Sequence, residues 1–309
     1  MSDKLFNIDF MGYRKPAAIL SIVLVVGACV SMLIQGLNLG LDFTGGTLVE
    51  VEFVEATDPQ EIRQMLEGAG YANGVVQFFG TNRDLLIRMP PQSGVDQSVL
   101  GDRILASLRE TYPGIVMRQS NYVGPAVGEE LTEDAGLALL AALAMIMLYI
   151  LFRFTKQFAV GAVAALVHDV LLVLGIFSLF RWTFDLSVLA AVLAVIGYSL
   201  NDTIVVSDRI RENFRNIRKG EPIGIINTSL NQTLGRTLVT SLTTLFVLLA
   251  LLITGGEIIR GFAAALTIGV VVGTYSSVYV ASNVLLLLNI TREDLLLPVK
   301  DDVDEQALP

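Results

Sequence analysis

Residues 158–180 read FAVGAVAALVHDVLLVLGIFSLF and residues 186–206 read LSVLAAVLAVIGYSLNDTIVV. At about 1.5 Å per residue each run reaches across a hydrocarbon core about 30 Å thick. Only Arg181 to Asp185 separate them. Two such runs in succession predict a helical hairpin in a bilayer, because no water-soluble core accommodates that much continuous apolar helix. The same test applied outward finds four more spans, Pro16 to Gln35, Ala135 to Phe152, Leu238 to Thr254 and Gly261 to Leu288. The expected fold is therefore a polytopic α-helical membrane protein with six transmembrane helices.

Composition agrees. Hydrophobic residues make up 53% of the chain and charged residues 17%, with a mean hydropathy of +0.63, whereas soluble domains carry about 25% charged residues. The charge is concentrated in residues 42–121 and in short clusters. The net charge of −9, with Asp301, Asp302, Asp304 and Glu305 in the tail, provides no basic face for a phosphate backbone, so membrane lipid is the expected surrounding and nucleic acid is excluded as a partner. Cys29 is the single cysteine, which rules out an intrachain disulfide and a cysteine-cluster metal site. No Gly-rich loop ending in Gly-Lys-Ser/Thr occurs, which argues against a nucleotide-driven pump. Neither a metal nor a cofactor is expected.

Basic residues set the orientation. Lys4, Arg14, Lys15, Arg153, Lys156, Arg209, Arg211, Arg215, Arg218, Lys219, Arg292 and Lys300 fall on one side of the spans, against Arg181 and Arg260 in the short opposite loops. By the positive-inside rule both termini are cytoplasmic. Residues 1–15 form the cytoplasmic N-terminus, 207–235 a cytoplasmic loop and 291–309 a cytoplasmic tail, and 38–133 lie outside the cytoplasm. The first span, 16–35, is longer than the apolar run of a signal peptide and no small-x-small site follows it, so it reads as a retained anchor.

In the extracytoplasmic segment, apolar and polar residues alternate between Leu41 and Phe53, the period-2 pattern of a half-buried strand. Pro59 opens a helix whose apolar face is Ile62, Met65, Leu66 and Ala69 and which ends at Gly70. Val75 to Phe79 and Leu85 to Met89 read as strands joined by a turn around Gly80, Thr81 and Asn82. A helix from about Ser98 to Thr111 and a strand from Ile115 to Val123 follow. Strand, helix, strand, strand, helix, strand suggests a ferredoxin-like α+β domain, a fold that by itself specifies no function. The domain has no His or Cys and only scattered acids, so a binding or mechanical role is expected and catalysis is not.

Ionisable residues at membrane depth are costly and usually functional. The candidates are His168 and Asp169 on the third span, Asp202 on the fourth and Arg236 at the start of the fifth. Tyr198 and Ser199 precede Asp202 by four and three residues and are expected to offer it hydroxyls, with Asn201 beside them. Such a carboxylate binds or releases a proton as desolvation and a nearby cation alter its surroundings. Arg236 fits as that cation, with Thr240 and Thr243 continuing a polar stripe toward the bundle interior; a static Asp202–Arg236 ion pair is the alternative. A helix step turns about 100°, so His168 and Asp169 are not expected to share a target, and His168 is either a satisfied contact or a relay. Gly269, Gly273 and Ser277 allow close helix approach, while Tyr275, Ser276, Tyr279 and Asn283 suit a polar path or a subunit contact. Asp169 and Asp202 could in principle pair as an aspartyl protease does, but the Gly-x-Gly-Asp context is missing at both.

The chain contains Leu41-Asp42-Phe43-Thr44-Gly45-Gly46, Val123-Gly124-Pro125, His168-Asp169, Gly197 to Val206 running into Asp208-Arg209-Ile210-Arg211-Glu212-Asn213, Gln232 to Thr237 with Thr240 to Thr244, and Gly273-Thr274-Tyr275-Ser276-Ser277. With these stretches it resembles, from end to end, the SecD/SecF family of bacterial protein-export membrane proteins. The resemblance implies membership of the resistance-nodulation-division superfamily, with a six-helix SecD half as a separate partner chain. It further implies association with the SecYEG channel and YajC in the bacterial inner membrane. The proton-motive force would drive late preprotein translocation after the ATP-driven action of SecA, with Asp202 and Arg236 in proton movement and Asp42, Phe43, Gly45 and Gly46 as a periplasmic hinge motif. A proton-driven small-molecule exporter of the same superfamily, or a scaffold subunit without its own proton path, is the alternative.

Overall fold

The computed structural model describes residues 7–291 apart from 72, 93–95 and 218–219, together with Asp294. Lys4, Arg218, Lys219, Arg292, Lys300 and the tail from 295 onward lie outside the described residues. The first span is α1 (Arg14–Gln35), entered through a 3-10 turn at Met11–Tyr13. A two-residue strand β1 (Asn38–Leu39) and one helical turn α2 (Leu41–Thr44) lead into the soluble domain. That domain runs β2 (Gly46–Glu52), α3 (Pro59–Gly68), β3 (Val75–Phe79), β4 (Thr81–Met89), α4 (Leu100–Thr111) and β5 (Val116–Val123). The remaining spans are α5 (Pro125–Arg153), α6 (Lys156–Leu179), α7 (Leu186–Asn216), α8 (Pro222–Thr254) and α9 (Gly256–Leu287), with strand β6 (Thr183–Phe184) between α6 and α7. Among the described residues, six helices are long and apolar enough to cross a membrane.

The domain's sheet is antiparallel with strand order β3-β4-β2-β5. The alternation in β2 sends Val49 and Val51 to the buried face, where they meet Leu85, Ile87 and Met89 of β4 and Ile62, Leu66, Ile104 and Leu108 of the helices. Asp58 caps α3 by accepting from the Gln60 amide at 2.9 Å. Two expectations change. The alternating segment does not begin as strand at Leu41, because Gly45 (φ 66°) and Gly46 (φ 119°) interrupt it and the residues before them coil into α2. A side chain at Gly46 would run into the Met89 carbonyl and one at Gly45 into the Pro125 backbone, so the chain needs glycine at both positions to pass here. Thr81 and Asn82 belong to β4, and Gly80 (φ 80°) alone makes the turn.

In the membrane part, α6, α7 and α9 form the inner layer. Half or more of the most apolar windows of α6 and α7 is buried, against 6% for α5 and 17% for α8. Gly269 and Gly273 let α9 press onto α7, since a Cβ at the first would overlap Val195 and at the second would lie 3.1 Å from the Ser199 Cβ. Segment 207–235 is mostly helix: α7 continues to Asn216 and α8 starts at Pro222, whose fixed φ suits a first helical turn. The Asn213 amide ties the two extensions together, donating to Ser229 Oγ and Gln232 Oε1, both at 2.8 Å. Likewise α5 begins at Pro125, ahead of the apolar run. Tyr275 and Asn283 do not line a path within this chain: they donate to the Ala17 carbonyl at 2.7 Å and the Arg14 carbonyl at 3.1 Å, holding α9 to α1.

Candidate functional site

Asp202 faces inward from α7 and is buried at 7% exposure. Its two oxygens are held by hydroxyls from two other helices. Thr237 of α8 donates to Oδ1 at 2.6 Å, and Ser277 of α9 makes a short hydrogen bond to Oδ2. Tyr198 and Ser199, expected as its partners, turn elsewhere: the Tyr198 hydroxyl donates to Ser241 Oγ at 3.4 Å, and Ser199 donates to Asp169 Oδ2 at 2.5 Å. Residues three and four back on a helix share only a broad face, and the partners on neighbouring helices decide where each hydroxyl points.

Asp169 has three polar side-chain partners. Ser199 and Ser276 reach Oδ2 at 2.5 and 2.7 Å, and His168 Nδ1 lies 2.9 Å from Oδ1. His168 and Asp169 meet each other and are buried at 5% and 1% exposure. The His168 ring also stacks on Tyr275 with centroids 6.1 Å apart, while Nε2 is buried without a partner. Asp169 and Asp202 are bonded to separate sets of hydroxyls, and neither donates to or accepts from the other.

Arg236 forms no ion pair with Asp202 among the described residues. Its side chain is exposed, as are Thr240 and Thr243, whose hydroxyls return to carbonyls of α8 itself. The inward stripe of α8 is instead Ser229, Thr233, Thr237 and Ser241, all buried. Their four-residue spacing was visible in the sequence, but an arginine outweighs a hydroxyl in any hydropathy reading, and it drew attention to the adjacent face. Asn201 also points out of the bundle, one residue from Asp202. Asn201 and Arg236 thus flank the Asp202–Thr237 contact from the outside.

At the other end of α7, Asp42 Oδ2 accepts from the Leu186 amide at 3.0 Å, and Asp185 Oδ1 accepts from the Val188 amide at 2.9 Å. These carboxylates cap the first turn of the helix that carries Asp202. Phe43 stacks on Phe184 with centroids 6.0 Å apart, and β1 pairs with β6 in parallel, Asn38 opposite Thr183. Arg88 of β4 spans this junction, donating to the Leu39 carbonyl and to Thr183 Oγ1, each at 3.1 Å. Burial holds its guanidinium below the usual arginine range, and the charges of Asp185 and Asp42 oppose that shift. Sequence reasoning missed Arg88, since an arginine in an alternating strand looks like any solvated residue.

Residues 103–291 match the family described as protein export membrane protein SecD/SecF, C-terminal, and residues 30–57 match the SecD/SecF GG motif. The chain belongs to this family of protein-export membrane proteins. Within it the relatives are SecF subunits. The chain is 48% identical over 309 residues to the protein translocase subunit SecF of Pseudomonas aeruginosa, covering 99% of this chain and 100% of that one. It is 46% identical over 290 residues to the SecF of Escherichia coli O157:H7, covering 93% and 90%. The crystal structure of SecDF, a translocon-associated membrane protein from Thermus thermophilus, superimposes with a TM-score of 0.85 at 37% identity, over 94% of this chain and 40% of that one. A SecDF in a super-membrane-facing form gives 0.69 at 38% identity, over 92% and 39%. The chain thus spans well under half the length of these SecDF chains.

Proposed function

We propose that this chain is the SecF half of a SecD–SecF complex that uses the proton-motive force to help pull preproteins through the SecYEG channel, with YajC associated. Both termini then lie in the cytoplasm, and the domain of residues 38–133 lies in the periplasm of a bacterial inner membrane. The observation that carries the reading is the setting of Asp202: a buried carboxylate at membrane depth, held by neutral hydroxyls of α8 and α9, with Arg236 close in sequence to its contact but not bonded to it. A structural ion pair would commit the charge permanently. Hydroxyls stabilise the carboxylate yet can turn to accept when it is protonated.

The outward face supports a SecD partner. Asn201 on α7 and Arg236, Thr240 and Thr243 on α8 point out of the bundle, where lipid offers no hydrogen bonds, and polar residues at that depth call for a protein neighbour or a water-lined path. Protonation of Asp202 would loosen its hold on Thr237 and Ser277 and change the electrostatic field at Arg236. The resulting shift of α7 would be felt at its capped end, where Asp42 and Arg88 join the soluble domain. Energy suffices: one charge crossing 100 mV is worth about 2.3 kcal/mol, a bias of about fifty-fold on a two-state element.

Inverted membrane vesicles test this by following preprotein completion after ATP is removed. Asp202→Asn and Arg236→Ala, assembled with SecD, should lose only the proton-dependent step. Completion at the wild-type rate would make both residues structural.

A further inference from the structure

At the far end of α7 from Asp42, the side chains of Arg153, Asp208, Arg211, Glu212, Arg215 and Asn216 line an open pocket of about 610 Å³. Helix geometry places its depth. The apolar run of α5 stops at Phe152, so Arg153 is its first residue outside the hydrocarbon. On α7, Asp208 lies about 33 Å from Leu186, and Arg211 and Arg215 lie about 5 and 10 Å further. With a hydrocarbon core of about 30 Å inside a bilayer of about 40–45 Å, the pocket sits in a head-group layer.

Its charges are out of balance. Arg153 is held by Asp208, with contacts of 3.2 and 3.1 Å, and Glu212 is engaged by Arg209 at 3.0 Å. Arg211 donates to the Arg153 carbonyl at 3.5 Å, its Nε is buried without a partner, and Arg153 and Arg215 press their charges on it with Asp208 opposing. Immediately before Arg153 in the chain, Leu151 and Phe152 are 50% and 84% exposed, and the Arg153 guanidinium lies 5.2 Å from the centre of the Phe154 ring.

We propose that this pocket binds the phosphate head group of an anionic phospholipid. Planar guanidinium groups donate paired hydrogen bonds to phosphate oxygens, which the point-like ammonium group does not do. The volume exceeds that of a lone phosphate and accommodates a glycerophosphate, and the exposed Leu151 and Phe152 offer apolar surface where an acyl chain would begin. Basic pockets between membrane helices at the cytoplasmic surface are suited to such head groups. An occupied pocket would tie the basic ends of α5 and α7 together.

Native mass spectrometry of the full chain, released from detergent with equal phosphatidylglycerol and phosphatidylcholine, tests the proposal. The wild type should retain phosphatidylglycerol preferentially. Arg211→Gln with Arg215→Gln should lower that preference about twenty-five-fold, from about fivefold per arginine. Asp208→Asn, which frees Arg153, should raise it. Unchanged retention in the double variant overturns the proposal. If that variant does not fold, unchanged retention in Asp208→Asn overturns it just as well. Displacement of the lipid by millimolar inorganic phosphate would also overturn it, by marking a site for soluble anions.

Discussion

The Thr237 hydroxyl donates to Asp202 Oδ1 at 2.6 Å, from a helix position one step and about 100° away from Arg236. α8 therefore presents a neutral donor to the carboxylate and keeps its cation on the adjoining face. Residue 237 controls how well the charged form of Asp202 is supported, because a hydrogen bond to a charged group contributes about 1.5–3 kcal/mol. Thr237→Val should reduce proton-dependent preprotein completion at least tenfold, and Thr237→Ser should restore most of it. Equal rates for the Val and Ser variants would sink the assignment.

Asp169 and Asp202 should respond differently to truncation. Removing Asp169 strands Ser199, Ser276 and His168 Nδ1 in a buried site, a cost of at least about 3 kcal/mol. Asp169→Ala should lower the thermal unfolding midpoint in detergent markedly, whereas Asp202→Asn, isosteric and still able to hydrogen-bond, should leave it nearly unchanged. Comparable loss in the two variants would mean that both carboxylates are structural.

The contact of α7 with α9 depends on the absence of a side chain at residue 269. Gly269→Val would drive a branched group into Val195, and overpacking of this kind costs about 1–3 kcal/mol. Because the same contact brings Ser277 to Asp202, the variant should lose both thermal stability and proton-driven completion. Gly27→Val, with nothing within 4 Å of its would-be Cβ, should change neither.

Asp42 caps α7 across 144 residues of sequence. Loss of a cap costs about 1 kcal/mol, so Asp42→Ala should speed amide exchange at the start of α7 about fivefold while leaving exchange near Asp208 unaltered. Exchange that rises uniformly along α7 would show general destabilisation instead of a lost cap.

Burial pushes the Glu50 carboxyl above the usual carboxylate range, with the charge of Asp84 adding to the shift and Arg118 opposing it. A raised carboxyl pKa disfavours the folded state where the group is ionised, and this penalty fades as pH falls through the folded-state value. Glu50→Gln should therefore slow amide exchange in β2 at pH 7, with the gain vanishing toward pH 4 once exchange is corrected for its intrinsic pH dependence. A gain that persists at pH 4 would point to a cause other than ionisation.

Membrane span number and the location of the soluble domain were legible in one dimension because each depends on a local quantity: about 20 consecutive apolar residues, or a period-2 alternation with turn residues at its ends. Asp202 stood out for the same reason, being an acid in an apolar run. Hydrogen-bond partners are a different kind of fact. Whether Ser199 turns to Asp202 or to Asp169, whether Arg236 or Thr237 faces inward, and whether Asp42 reaches Leu186 depend on how α6, α7, α8 and α9 rotate against one another. Between α7 and α9, Gly269 and Gly273 permit the close packing that fixes it, and they carry no polar signal of their own. Arg88 was illegible because its burial arises only where β4 meets the paired β1 and β6. The sequence by itself determined which stretches are long and apolar enough to cross a membrane, since hydrophobicity is additive along the chain; only the tertiary structure decided which polar groups in them are buried and which of these touch, since both depend on the relative orientation of whole helices.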